Sequence, residues 1–192
     1  IDAENDIDES DEANNEKVKT LNVPLRVFYD FLSKAPYAEW LSGAGQLPWP
    51  GADTDSRGFA CYRTNIVLED SHTYSKVLET HPQWVDERWI SGKYEITSPV
   101  PAGARFKAKV GFIKGATGTD GVTFHVCFCD GTKWYYFPSP SGSKANYDGH
   151  LGNLDFDLTS IAGKTGKMFL HVKAGPSSGQ DWAVWVEPKI IW

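Results

Sequence analysis

Four of the eight tryptophans, Trp40, Trp49, Trp84 and Trp89, stand in stretches rich in Gly and Pro. Charged residues accompany three of them: Glu39 precedes Trp40, and Asp86, Glu87 and Arg88 lie between Trp84 and Trp89. A broad ring held on a loop stacks on an apolar C–H surface, while a carboxylate or guanidinium beside it meets hydroxyls at that surface's edge. A sugar ring has both features, so this grouping suits a saccharide. The competing expectation is that these rings plug the open ends of a β fold. Trp134, Tyr135 and Tyr136 are consecutive, and neighbouring residues of a strand face opposite ways. One side of that triplet therefore looks outward, either as a second platform or as a packing interface. The candidate ligand-binding residues are thus Trp40, Trp49, Trp84, Asp86, Arg88, Trp89, Trp134 and Tyr136.

Catalytic and metal patterns are thin. The five histidines show no H-x-x-x-H or H-E-x-x-H spacing, and the three cysteines no C-x-x-C, so zinc is not indicated. No phosphate-cradling G-x-x-x-x-G-K loop occurs. Close carboxylates such as Asp155 with Asp157 and Asp86 with Glu87 read as solvated positions rather than a glycosidase pair. No enzyme and no cofactor are expected. The acids Asp2, Glu4, Asp6 and Asp8 are weak candidates for a structural calcium, which prefers clustered oxygens.

Charge divides the chain. Of 25 acids, eight fall in residues 1–16 without a single Lys or Arg, leaving 17 acids against 19 bases in the rest. The net −6 therefore belongs to an N-terminal extension, and the body is close to neutral. No basic stripe is available for a phosphate backbone, so nucleic acid is not an expected partner. No apolar run is long enough for membrane insertion. The first residue is Ile, which reads as a processed or excised piece.

The elements that must position these side chains are strands. Alternation is clearest at 104–113, 121–129 and 168–173, with Phe106, Ala108, Val110 and Phe112 on one face and Arg105, Lys107 and Lys109 on the other. Asp130-Gly131 signals a hairpin into 133–137. Residues 168–173 and 182–187 read as two strands joined by a Gly/Pro/Ser loop, 58–68 as a strand, and 25–31 as a strand with a short helix through 28–34 as the alternative. Residues 38–53 and 80–94 read as loops. Many short strands with regular turns predict an all-β, jelly-roll-like antiparallel sandwich over 24–192, preceded by an acidic extension with an edge strand over 1–23.

Two resemblances accompany this reading. The spans 156–164, 169–175 and Asp181-Trp-Ala-Val-Trp185 resemble the closing strands of NPCBM and galactose-binding-like carbohydrate-binding modules, which carry a D-x-A-x-W pattern. Phe106-Lys-Ala-Lys-Val-Gly111 followed by Val122-Thr-Phe-His-Val126 is similar to two earlier strands of that family, while the first third departs from it. The run Asp2 to Asn15 resembles the end of an adhesion-type CARDB repeat. Together they imply a non-catalytic polysaccharide- or glycan-binding module of a larger secreted or cell-surface protein. The alternative is an extracellular filament or adhesin subunit that self-associates by donating residues 1–23 to a neighbour's sheet edge. A glycoside-active enzyme ranks third.

Overall fold

Two antiparallel sheets account for the fold of residues 26–192, which the computed structural model describes. In chain order the elements are β1 (Val27–Asp30), a one-turn helix α1 (Phe31–Lys34), β2 (Glu39–Ser42), β3 (Gly45–Leu47), β4 (Phe59–Val67), β5 (Thr73–His81), β6 (Trp89–Ile96) and β7 (Arg105–Phe112). There follow β8 (Val122–Cys129), β9 (Trp134–Phe137), β10 (Ser143–Ala145), β11 (Gly152–Asp157), β12 (Gly166–Ala174) and β13 (Ala183–Ile191). The first sheet runs β11-β7-β13-β5-β4, with β1 beside the far half of β13. The second runs β10-β8-β12-β6-β2-β3, with β9 beside β8. From β6 onward successive strands repeatedly cross between the sheets, the jelly-roll pattern expected. The acidic extension 1–23, its calcium candidates and its self-association lie outside the described residues.

Alternation builds the core. Val122, Phe124, Val126 and Phe128 of β8 and Met168, Leu170 and Val172 of β12 turn inward from the second sheet, against Phe106, Val110 and Trp185 of the first. The Phe124 and Trp185 rings meet edge to face at 4.9 Å, an arrangement their quadrupoles favour. Phe31 of α1 closes one end of the space, 5.0 Å from the Tyr94 ring and 5.6 Å from Phe106. Asp30 caps that turn by accepting a hydrogen bond from the Ser33 N–H at 3.1 Å. Strand and helix, the two readings of this segment, are both present in succession.

A second, smaller apolar cluster lies outside the first sheet. There the β4–β5 hairpin bends back, Leu68 pairs with Ile113, and Leu68, Val77, Val184 and Val186 bury one another.

Residues 168–173 and 182–187 do lie in two strands joined by the Gly/Pro/Ser loop, which crosses between the sheets, β12 belonging to the second and β13 to the first. Two loop expectations are corrected. The stretch 80–94 is not all loop, since Trp89–Ile96 is an inner strand. Likewise 38–53 contains the β2–β3 hairpin. Asp130-Gly131 does turn the β8–β9 hairpin, with Gly131 at φ 96° and the Asp130 N–H donating to Lys133 O at 3.2 Å.

Candidate functional site

The side chains of the second sheet that point away from the core form an aromatic strip. Alternation on β12 leaves Phe169, His171 and Lys173 outside. In register, Phe169 lies between Cys127 of β8 and Lys93 of β6, and His171 between His125 and Ser91. Trp134 and Tyr136 extend the strip from β9, opposite Cys129 and Cys127. Trp89 ends it on β6, opposite Lys173. Four strands at about 4.8 Å spacing make the strip roughly 14 Å across.

Ring geometry ties these positions together. Trp134 lies 4.9 Å from Phe169, and the Trp134 and Tyr136 rings are within 22° of parallel. His171 stacks on Trp89 at 5.4 Å and 24°, and meets the His125 ring at 5.3 Å. Trp134 is 48% exposed and Tyr136 43%, while Trp89, Phe169 and the two histidines are half-buried.

The two histidines of the strip are uncharged at neutral pH. Burial, the neighbouring His125 and Lys173 push the His171 pKa down to about 4. Burial and Lys173 also lower His125. Neutral imidazoles offer one donor and one acceptor each. At the β2 side the Glu39 carboxylate pairs with Lys93, and at the other border Lys173 reaches Glu87 at 3.7 Å. The arrangement is a flat set of rings edged by hydrogen-bonding groups.

The structure distributes the expected residues over several places. Trp89, Trp134 and Tyr136 come together on the strip. Asp86 and Arg88 sit at one end in the exposed turn before β6, where the Glu87 N–H donates to Gly175 O at 2.9 Å. Trp84 turns instead towards His81 of β5, its ring 5.9 Å away. Trp40 is a correction: it is 1% exposed, and its indole N–H donates to Ala35 O at 3.0 Å. It faces inward because a Cβ on Gly92 of β6 would meet its ring at 2.7 Å, so the glycine vacates the space the indole fills. Trp49 stacks on Trp40 at 5.8 Å and packs edge-on to Tyr62, so it too belongs to the core wall rather than to a platform. Sequence reasoning passed over Phe169, His125 and His171, although each alternates with buried neighbours on a strand whose inner face was read.

Gly175-Pro-Ser177-Ser-Gly179 has the letter spacing of a nucleophile elbow, yet it joins two strands, and its Ser177 N–H donates to Asp120 at 2.9 Å. Among the described residues no group of three or more His, Cys, Asp or Glu is arranged to hold a metal. No described helix is long and apolar enough to cross a membrane.

No protein-family model matches the chain, and neither does any curated protein. Similar solved structures include the module TmCBM61 in complex with β-1,4-galactotriose, at 14% identity over 86% of this chain and 97% of that one, with a TM-score of 0.49. The xylan-binding domain of CBM 22 is 12% identical over 86% of this chain and 93% of that one, at a TM-score of 0.47. CBM51 from the Clostridium perfringens GH95 protein, in complex with methyl-galactose, is 18% identical over 67% and 86%, at 0.42.

Proposed function

We propose that this chain is a non-catalytic carbohydrate-binding module, working outside the cell as part of a larger protein, and that it lays a neutral polysaccharide across the strip of the second sheet. The observation that carries the reading is the pair of outward ring groups, Tyr136–Trp134–Phe169 and Trp89–His171–His125, which the alternate positions Phe169 and His171 of β12 place side by side on one face of the second sheet. A single exposed ring is common on a protein surface, whereas aligned rings spanning a sheet form an apolar track that water solvates poorly. Sugar C–H faces cover such a track, and the neutral histidines and the Glu39–Lys93 pair meet the hydroxyls at its edges. Rigid strands fix the ring spacing in advance, which lowers the ordering cost of binding.

Affinity electrophoresis in gels containing galactan or xylan tests this. Those two polymers come first because the similar structures name galactotriose and xylan as ligands. The parent protein is retarded by at least one soluble polysaccharide, and Trp134→Ala or Trp89→Ala weakens that retention about tenfold. If both substitutions leave retention intact while circular dichroism shows the fold unchanged, the strip is not the binding face.

A further inference from the structure

Trp84 leads to a second site on the opposite side of the sandwich. β4 and β5 pair with Phe59 opposite His81, Cys61 opposite Glu79 and Arg63 opposite Val77. The intervening Ala60, Tyr62 and Leu78 pack into the core, so these six side chains turn to the outer side of the first sheet. Where the β4–β5 hairpin bends back over that side, it leaves a groove of about 420 Å³, with Trp84 at one wall and Trp182 and Ile113 at another.

The floor of the groove is charged. The Glu79 side chain is 2% exposed, and its carboxylate accepts a hydrogen bond from the Arg63 Nε and faces the Cys61 thiol at 3.8 Å. Arg63 also reaches Asp53 at 2.8 Å. Removing a carboxylate from water is expensive, and Arg63 offsets this at Glu79. His81 shares a hydrogen bond of 2.8 Å between Nδ1 and Pro82 O, which puts its proton on Nδ1 and leaves Nε2 an acceptor. Burial lowers its pKa and keeps it neutral. Its ring lies between Phe59 at 5.3 Å and Trp84 at 5.9 Å. Trp84 itself is 47% exposed, with its backbone N–H fixed to Ser56 O at 2.9 Å.

We infer that this groove is a second ligand site, taking one or two neutral sugar units with Trp84 as the stacking wall and the Glu79–Arg63 pair as the hydroxyl clamp. The volume falls within the ordinary range of small-ligand pockets. A carboxylate and a guanidinium fixed side by side present an acceptor next to a donor. Vicinal hydroxyls answer that pair, since one donates and its neighbour accepts. Two acids against one Arg disfavour an anionic ligand. The inference stands without the strip on the second sheet, because the two lie on opposite sides of the molecule and share no residue.

The test is titration of the full chain with methyl glycosides of galactose, glucose and xylose at millimolar concentration, followed by Trp fluorescence and NMR, with tetramethylammonium as a cationic control. At least one glycoside saturates on the parent protein, and Trp84→Ala, an exposed change, weakens it about tenfold. Asp53→Asn and Glu79→Gln report on the clamp, and Trp84→Ala decides the matter if Glu79→Gln fails to fold. NMR shift changes at Trp84, Trp182 and Ile113 rather than at Trp134 and Trp89 separate this site from the strip, and changes confined to the strip overturn the inference. Failure of every glycoside to bind, equal binding by Trp84→Ala, or saturation by tetramethylammonium alone overturns the inference.

Discussion

At Asp181 a carboxyl is packed where its charge has almost no support. It has no exposed surface; the Thr119 hydroxyl donates to one oxygen, and Oδ2 has no partner. Burial, with Asp120 nearby, pushes its pKa up to about 7 from an ordinary value near 3.8. The folded protein therefore holds this proton more tightly than the unfolded chain. Its contribution to stability is present below pH 4 and is lost as the pH rises through 7. His171 acts in the opposite sense, since its folded pKa of about 4 lies below the ordinary 6.5 and stability falls as acid charges the unfolded chain. Asp181→Asn should therefore gain on the parent as pH rises from 4 to 8, by about 1–3 kcal/mol in urea unfolding. A difference that stays constant with pH would mean the carboxyl is ionised in the native state. His171→Phe should show the mirror image, losing the parent's decline between pH 6.5 and 4.

Elements decide which aromatic residues are free to bind. Trp40 and Trp134 look alike in the sequence, each directly after a charged residue, Glu39 or Lys133. Trp40 is buried because β6 places Gly92 directly beneath it, while Trp134 sits on β9 above Cys129 with nothing covering it. Gly92→Ala puts a methyl group 2.7 Å from the Trp40 ring and 3.0 Å from Tyr94. This overpacking should cost about 1–3 kcal/mol and lower the thermal midpoint without changing net charge. An unchanged midpoint would show that β2 can slide away from β6. The same contrast explains what was legible beforehand. Strands β7, β8 and β12 announce themselves by unbroken alternation of large apolar residues. β6 does not, because Gly92 breaks the inward row of Ile90, Tyr94 and Ile96 in order to seat a tryptophan from another strand. Sheet membership of β12 and β13 was hidden for a related reason: a Gly/Pro/Ser connection allows a hairpin or a crossing equally, and the choice depends on burying Trp185 between the sheets. Trp89, Trp134 and Tyr136 were identifiable as residue types, but their common surface exists only through β8 and β12 between them.

For the whole molecule, the sandwich separates two outer surfaces of different character. One is the flat aromatic strip with ion pairs at its borders, and the other is a groove floored by an ion pair beneath a bent hairpin. The middle of the strip rests on β12 and β6, each paired on two sides, whereas Trp134 and Tyr136 stand on β9 and Arg63 on β4, each paired on one side only. The chain path adds another property. The Arg26 N–H donates to Trp192 O and the Trp192 N–H to Arg26 O, each at 3.0 Å, at the open end of the antiparallel β1–β13 ladder. Tension applied between residues 26 and 192 therefore acts on the ladder's rungs one after another rather than on all of them together. Under a pulling force β1 and α1 should peel off first, while the two sheets stay closed and any bound ligand stays in place. Single-molecule extension should record that small early lengthening before the main rupture, and one abrupt rupture would contradict it. A chain loaded through these two points would give a little before its sheets part.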